Sequence, residues 1–337
     1  MFLKQMDGVL AELDLAAKPF KLVKCVAAHN EADWITYNLA NCYDEFDIIR
    51  VVEGAVEGRP NATKDGHSTD ATLELIRSFP DPAGKIELYT QNRPFKSLEE
   101  QKQVFIDVAS KDEEETTWNI VCDVDEFYME GSVERIREAI KKRPSASEFI
   151  PTFLHFYRDV RHIRDYAGEW SVWHQRILRK QRGQKYRSHP VVSDVNDKCT
   201  YFSPEYQVSR FIIPDLFIYH YGHAKSIEFH KMKQAFYKSE LKKFALEDGT
   251  NASRKFDEKF AEFAEYREPL NEVLEFDGPH PHALSNHPIM QQVEPFYSDK
   301  KLRHWRQARA YSEELPTIPQ WMLFERRMVA FYNTMRV

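Results

Sequence analysis

The chain has 337 residues, 47 basic and 53 acidic for a net charge of −6, with 42% hydrophobic and 13% aromatic content. That supports one large α/β domain with a helical appendage, or two domains, and excludes a broad electrostatic attraction to nucleic acid or to an anionic membrane surface. Cys25, Cys42, Cys122 and Cys199 lie far apart without C-x-x-C spacing, and Lys4, Asp7, Glu12 and Asp14 break any signal-peptide core, so a cytoplasmic chain with reduced thiols is expected.

Leu22–Ala28 reads as a first strand ending at His29-Asn30-Glu31, with Asn30 as N-cap of a helix whose Ile35, Leu39 and Cys42 or Tyr43 share a face. A second strand, Ile48–Val52, stops at Glu53-Gly54. A polar loop then leads to Ser68-Thr69-Asp70 and a helix carrying Leu73, Leu75, Ile76 and Phe79. Ile86–Tyr89 is a third strand, and Ser97-Leu98-Glu99-Glu100 is a capping-box pattern opening a helix with Val104, Phe105 and Val108 inward. The fourth strand, within Trp118–Cys122, runs straight into Asp123, Asp125 and Glu126. Charges cannot enter a strand's core without a large desolvation cost, so these acids belong just past its end. After Gly131, Ser132 caps a helix that closes on Lys141-Lys142-Arg143, cations suited to a helix C-terminus. Residues 145–225 predict strands and long loops rich in aromatics and Arg. From Ser226 a helix with Phe229, Met232, Phe236 and Phe244 at helical spacing begins a C-terminal extension. The expected domains are therefore 20–225 and a helical 226–337.

Strands alternating with helices predict a mostly parallel sheet flanked by helices, and such sheets bind ligands beyond the carboxyl ends of their strands. His29, Asn30, Glu31, Glu53, Asp70, Asp123 and Asp125 all sit at such ends and should converge in one crevice. The run Asp112–Glu115 precedes its strand and belongs at the opposite end.

Two aspartates one residue apart, Asp123 and Asp125, can present carboxylates to one hard cation, Mn2+ or Mg2+, which bridges to a diphosphate and neutralises a phosphate leaving group. A solvated acidic turn is the plainer alternative. His220, with His223 three residues on, offers an imidazole to such a site or is a hydrogen-bonded core histidine. Arg176 and Arg179 are candidates for phosphate oxygens or ordinary strand charges. Tyr166, Trp170 and Trp173 are core aromatics or sugar-stacking faces. His280, His282 and His287 lack a metal-ligand pattern and read as a loop. Patterns for P-loop NTPases, Rossmann dehydrogenases, serine hydrolases and zincins are absent from the sequence.

In the order of these motifs, the chain from about Lys21 to Pro281 resembles the family-2 glycosyltransferases of GT-A fold, particularly members with an acidic D-x-D-E-F signature, here Asp123-Val124-Asp125-Glu126-Phe127. The resemblance implies a nucleotide pocket lined by His29, Asn30, Glu31, Glu53 and Asp70. Asp123 and Asp125 would be the D-x-D pair that touches ribose and coordinates Mn2+ or Mg2+ on the sugar-nucleotide diphosphate, and His220 would join that metal and phosphate site. It further implies a donor that is a nucleotide-diphosphate sugar, a UDP-sugar first, and a glycan, lipid-linked or other hydroxyl acceptor. An inverting transfer needs a general base, for which Glu169, His189 and Asp194 are the candidates, Asp194 favoured. The sequence departs from the family's pattern in the polar insertion Ala55–His67 and in showing no acidic general base in the family's usual E-D pairing. Three rivals stay open: a sugar-phosphate nucleotidyltransferase, a catalytically inert nucleotide- or glycan-binding module, and a DNA-base-modifying glycosyltransferase. The last would use a groove of Arg158, Arg161, Arg164, Arg176, Arg179, Lys180 and Arg182. Trp321–Phe324 with Arg326-Arg327 suit peripheral membrane association at most.

Overall fold

The computed structural model describes residues 19–59, 61–108, 117–164, 176–180, 185–187, 191–193, 210–228, 230–231 and 273–305, and every structural statement concerns these. Hydrogen bonds link eleven strands into one mixed sheet and two more into a separate hairpin. The chain forms two compact units. The first comprises Met1–His155, Gly168–Tyr221 and Gly278–Met290; the second comprises Phe156–Ala167, Gly222–Asp277 and Gln291–Val337.

In the first unit, β1 (Lys21–Ala28), α1 (Ile35–Ala40), β2 (Ile48–Glu53), α2 (Thr72–Ser78), β3 (Ile86–Tyr89), α3 (Leu98–Asp107) and β4 (Thr117–Asp123) follow in alternation. Their strands pair in parallel in the order β3-β2-β1-β4. β1 lies centrally because both of its faces are apolar except for the exposed Lys21 at its start and the buried Lys24, and its burial is otherwise nearly complete. One face packs Val23 and Cys25 with Val52, Phe105, Ile106 and Val121. On the other, the buried Lys24 ammonium donates to the carbonyls of Asn38 and Asn41, tying β1 to the end of α1, while burial lowers its pKa.

Beyond Asp123 the alternation stops. The chain continues as β5 (Glu126–Tyr128), α4 (Ser132–Lys142), β6 (Glu148–Tyr157), β7 (His162–Arg164), β8 (Ile177–Arg179), β9 (Lys185–Arg187), β10 (Val191–Ser193) and β11 (Arg210–His223). β8 joins β4 and β6 antiparallel, β11 joins β5 antiparallel, and β9 and β10 form the hairpin. The sheet is therefore mixed, which corrects the expectation of a mostly parallel one. Parallel neighbours need a long crossover such as a helix; among the described residues the run of helix-crossed parallel strands ends at β4, and beyond it only the two-residue pairing of Val273–Glu275 with Arg303–His304 is parallel.

In the second unit the end of β6 pairs with β7, β7 with β12 (Val273–Glu275), and β12 with β13 (Arg303–His304). Arg158, at φ 69, turns the chain between β6 and β7, donating its backbone N–H to the His223 carbonyl and its guanidinium to Glu294. Of the extension expected to be helical, residues 273–305 form these strands and short 3-10 turns, and 232–272 lie outside the described residues. Among the described residues no helix is long and apolar enough to cross a membrane.

Two expected helix caps are corrected. Asn30 does not cap α1: it adopts φ 55 and its side-chain oxygen accepts from Thr69 N–H, and Trp34 stands at the N-cap, where no side chain caps the helix. Gly131, at φ 79, occupies the N-cap of α4, one residue before Ser132. Ser97 does cap α3, accepting from Glu100 N–H, but Glu100 turns to Lys96 N–H and Arg93.

Candidate functional site

The register of the parallel strands brings the sequence-distant acids to one edge. Ala27 of β1 is level with Asp123 of β4, and Ala28 is level with Glu53 of β2. β1 is the strand from which order diverges to β2 on one side and β4 on the other, the switch point at which doubly wound sheets open a crevice.

On the β2 side, the first two loops are sewn together. Asn30 N–H donates to Ser68 Oγ at 3.0 Å, Glu31 N–H to Thr72 Oγ1 at 2.7 Å and Ala32 N–H to Asp70 Oδ2 at 3.1 Å. Asp70 Oδ1 also accepts from Thr72 N–H at 2.9 Å. Glu53, wholly buried, accepts from Ser68 N–H at 2.8 Å and meets His67 Nδ1 at 3.1 Å. His29, Asn30, Glu31, Glu53 and Asp70 thus do gather, with the Asn30, Glu53 and Asp70 oxygens engaged in holding the loops. His29 is half-buried, its Nε2 is enclosed without a hydrogen-bond partner, and burial lowers its pKa against the opposing charges of Glu53 and Asp70.

On the β4 side, the acidic turn hangs from α1. Asn38 Nδ2 donates to the carbonyls of Asp123, Val124 and Glu126 at 3.3, 3.0 and 3.0 Å, and Asn41 exchanges two 2.8 Å bonds with the backbone of Tyr128. The three acids then diverge. Glu126 is buried against the equally buried Arg176, whose Nε donates to Oε2 at 2.9 Å. Burial pushes the Glu126 carboxyl up to about 7, opposed by that guanidinium. Asp123 receives Lys102 Nζ on Oδ1 at 3.0 Å and Arg176 Nη2 on Oδ2 at 3.2 Å, and its side chain stays 32% exposed. Arg176, read from sequence as a phosphate candidate, points onto these acids, and its Nη1 is buried without a partner. Asp125 points elsewhere, with Oδ1 at 3.7 Å from His220 Nε2.

β11 delivers His220. Its antiparallel register sets His220 opposite Glu126 and Tyr219 opposite Phe127, and Tyr221 N–H donates to the Asp125 carbonyl at 2.9 Å. His220 Nδ1 lies 2.6 Å from Nδ1 of His155, near the end of β6. His223 ends β11 and belongs to the second unit. The Gly278–Met290 segment, read from sequence as a loop, packs two of its three histidines against the rest of the first unit, while His282 is exposed: Tyr221 OH meets His280 Nδ1 at 2.7 Å, and the His287 ring lies on Trp34 at 4.2 Å. The Pro/His-rich turn is structural here.

Sequence reasoning missed Lys102, Asn38, Asn41 and His155. Lys102 is a polar residue on the inner face of α3, and a buried lysine at a helical core position is itself a signal of a carboxylate partner. Glu169, His189, Asp194, Asp112–Glu115, the sugar-stacking candidates Tyr166, Trp170 and Trp173, and Cys199 lie outside the described residues. Cys25 and Cys122 are buried free thiols whose pKa values burial pushes up to about 12, and Cys42 is a half-buried one. Compared with protein-family models and with curated proteins, the chain matches none.

Proposed function

We propose that the chain is a glycosyltransferase of GT-A type that moves a sugar, with inversion, from a nucleotide-diphosphate sugar to an acceptor hydroxyl with the help of a divalent cation. The observation that carries this reading is the facing of Asp125 and His220 beside the carboxyl edge of the parallel strands, next to an Asp123 fixed by two cations. Asp125 and His220 offer one carboxylate oxygen and one imidazole nitrogen, both partly exposed, a donor set that suits Mn2+ and, with more water, Mg2+. A cation held there would neutralise charge on the departing diphosphate.

The chain's own residues carry the rest. Lys102 and Arg176 hold Asp123 oriented, with a third of its side chain open to accept from a ribose or sugar hydroxyl. Lys102's pKa is raised, with burial opposing and Asp123 driving the increase, so the ammonium stays charged as the clamp requires. The loop cluster of Asn30, Ser68 and Asp70 forms the wall on the nucleotide side, where a UDP-sugar is the first donor to try. Removal of the acceptor proton falls to Asp194, His189 or Glu169.

Thermal stabilisation by a panel of nucleotide diphosphates and their sugars, with Mn2+ or with chelator, tests this reading on wild type and Asp125→Asn. The expected result is a donor-specific, cation-dependent rise in Tm that the variant loses, with sugar transfer or donor hydrolysis reduced about 100-fold or more. Wild-type turnover in Asp125→Asn sinks the cation assignment, and donor binding without turnover identifies an inert module.

A further inference from the structure

We propose that His155, His220 and His223 form a three-imidazole site for a transition metal of the Zn2+ kind. The inference shares His220 with the cation site above but does not rest on the transferase reading.

One ring nitrogen from each of the three histidines lies within 4.8 Å of the other two. Two nitrogens at roughly 2.1 Å from one ion stand at most about 4.2 Å apart, so a ring shift of about 1 Å or less closes the set on a metal. Regular structure carries it. β11 supplies His220 and His223, β6 supplies His155 near its end, and the two strands are hydrogen-bonded neighbours in the sheet. Ligands on paired strands keep their spacing better than ligands on loops.

The surroundings suit nitrogen ligation. His155 is 5% exposed, its ring stacked on Phe153 with centroids 5.3 Å apart and crossing the His220 ring at 89°. Its Nδ1 lies 2.6 Å from His220 Nδ1. Two nitrogens that close cannot both carry a proton, so the pair keeps a lone pair, which is what an imidazole offers a metal. Enclosed histidines elsewhere in the fold are answered by oxygen: His162 Nδ1 meets Asp159 Oδ1 at 2.6 Å, and His287 Nε2 meets the Asp33 carbonyl at 2.9 Å. Nitrogen facing nitrogen is the arrangement that a shared cation explains.

The donor set also selects the ion. Mg2+ holds to oxygen ligands, whereas imidazole suits Zn2+ and its neighbours and binds Zn2+ more tightly than Mn2+. Three neutral imidazoles leave the charge of a divalent ion uncompensated, and Asp125, with Oδ1 3.7 Å from His220 Nε2, brings a carboxylate to its side.

The test uses the full chain, stripped with chelator and reloaded with Zn2+. X-ray absorption at the zinc edge counts the imidazoles on the ion in wild type, and Zn2+ affinity is measured by competition with a chromophoric chelator for wild type, His155→Gln and His223→Gln. The expected result is three imidazoles per zinc, with Zn2+ bound more tightly than Mn2+ and not displaced by excess Mg2+. Each variant should lose more affinity than the roughly 10- to 100-fold that an outer partner of a metal ligand is worth. Fewer than three imidazoles on the zinc, tighter binding of Mn2+ or Mg2+ than of Zn2+, or wild-type Zn2+ affinity in either variant overturns the inference; the count on wild type decides even where a variant fails to fold. Three imidazoles on zinc in a protein that no nucleotide sugar stabilises overturns the transferase reading and leaves this inference standing. A donor-specific, cation-dependent rise in Tm together with fewer than three imidazoles does the reverse.

Discussion

Arg176 and Arg179 stand three residues apart, and from sequence they carry the same promise. In the structure Arg176 enters the core and neutralises Glu126 and Asp123, while Arg179 donates to the Pro144 carbonyl. No periodicity distinguishes them, because what decides is whether a carboxylate waits on the facing element. The acids themselves were legible as a group past the end of β4, but their separate roles were not: Glu126 is folded inward and Asp125 outward by a turn whose carbonyls Asn38 fixes. His67 is a case where charge becomes measurable. Its hydrogen bond with Glu53 raises its pKa, with burial opposing, so the folded state binds the proton more tightly than the unfolded chain. The stability this adds is complete below the ordinary value of 6.5 and is lost as pH rises through the higher folded value. A Tm series across that range should fall more steeply in wild type than in His67→Gln; parallel curves would show that the pair contributes nothing.

At the scale of elements, the β-α alternation up to β4 was readable because each strand is a short apolar run and each helix has an apolar stripe. The half that follows was not. β5, β7 and β8 span three residues each, too few to show a period, and β11 carries Pro214 and Asp215 within it. The Ala55–His67 insertion reads from sequence as a polar loop, and it is packed. Val56 bridges to Phe95, Phe95 N–H donates to the Ala55 carbonyl at 2.8 Å, and both side chains are buried. Gly66 makes this possible: at φ 81 it passes so close to Arg93 that an added Cβ would lie 2.2 Å from its carbonyl oxygen. Gly66→Ala should therefore cost about 2–4 kcal/mol from backbone strain and overlap combined, read by denaturant unfolding, and a loss under about 0.5 kcal/mol would mean that the loop relaxes freely.

For the whole molecule, the legible fact was that polar residues scattered from His29 to Asp125 share one sheet edge, since parallel strands send all their carboxyl ends the same way. What sequence could not supply was β11, which comes from nearly a hundred residues beyond the acids and closes the site with His220; long-range antiparallel pairing leaves no local signature. The same architecture sets where the fold is hardest to open. β1 is paired on both sides and buried from Leu22 to Val26, so the amides of Val23–Val26 and Ile120–Cys122 should exchange with solvent only through global unfolding, while those of the exposed loop Asn61–Asp65 exchange early. Mass-resolved hydrogen exchange that found β1 among the first peptides to label would contradict this. The amide of Asn41 has one more effect. By trading two bonds with Tyr128 it does for β5 what a neighbouring strand would do, and Asn38 covers the Glu126 carbonyl beside it. With β11 on the other flank, this three-residue strand offers no open margin on which a stray peptide or a second copy could extend the sheet, so the acidic turn stays in front of the crevice and out of reach of strand exchange.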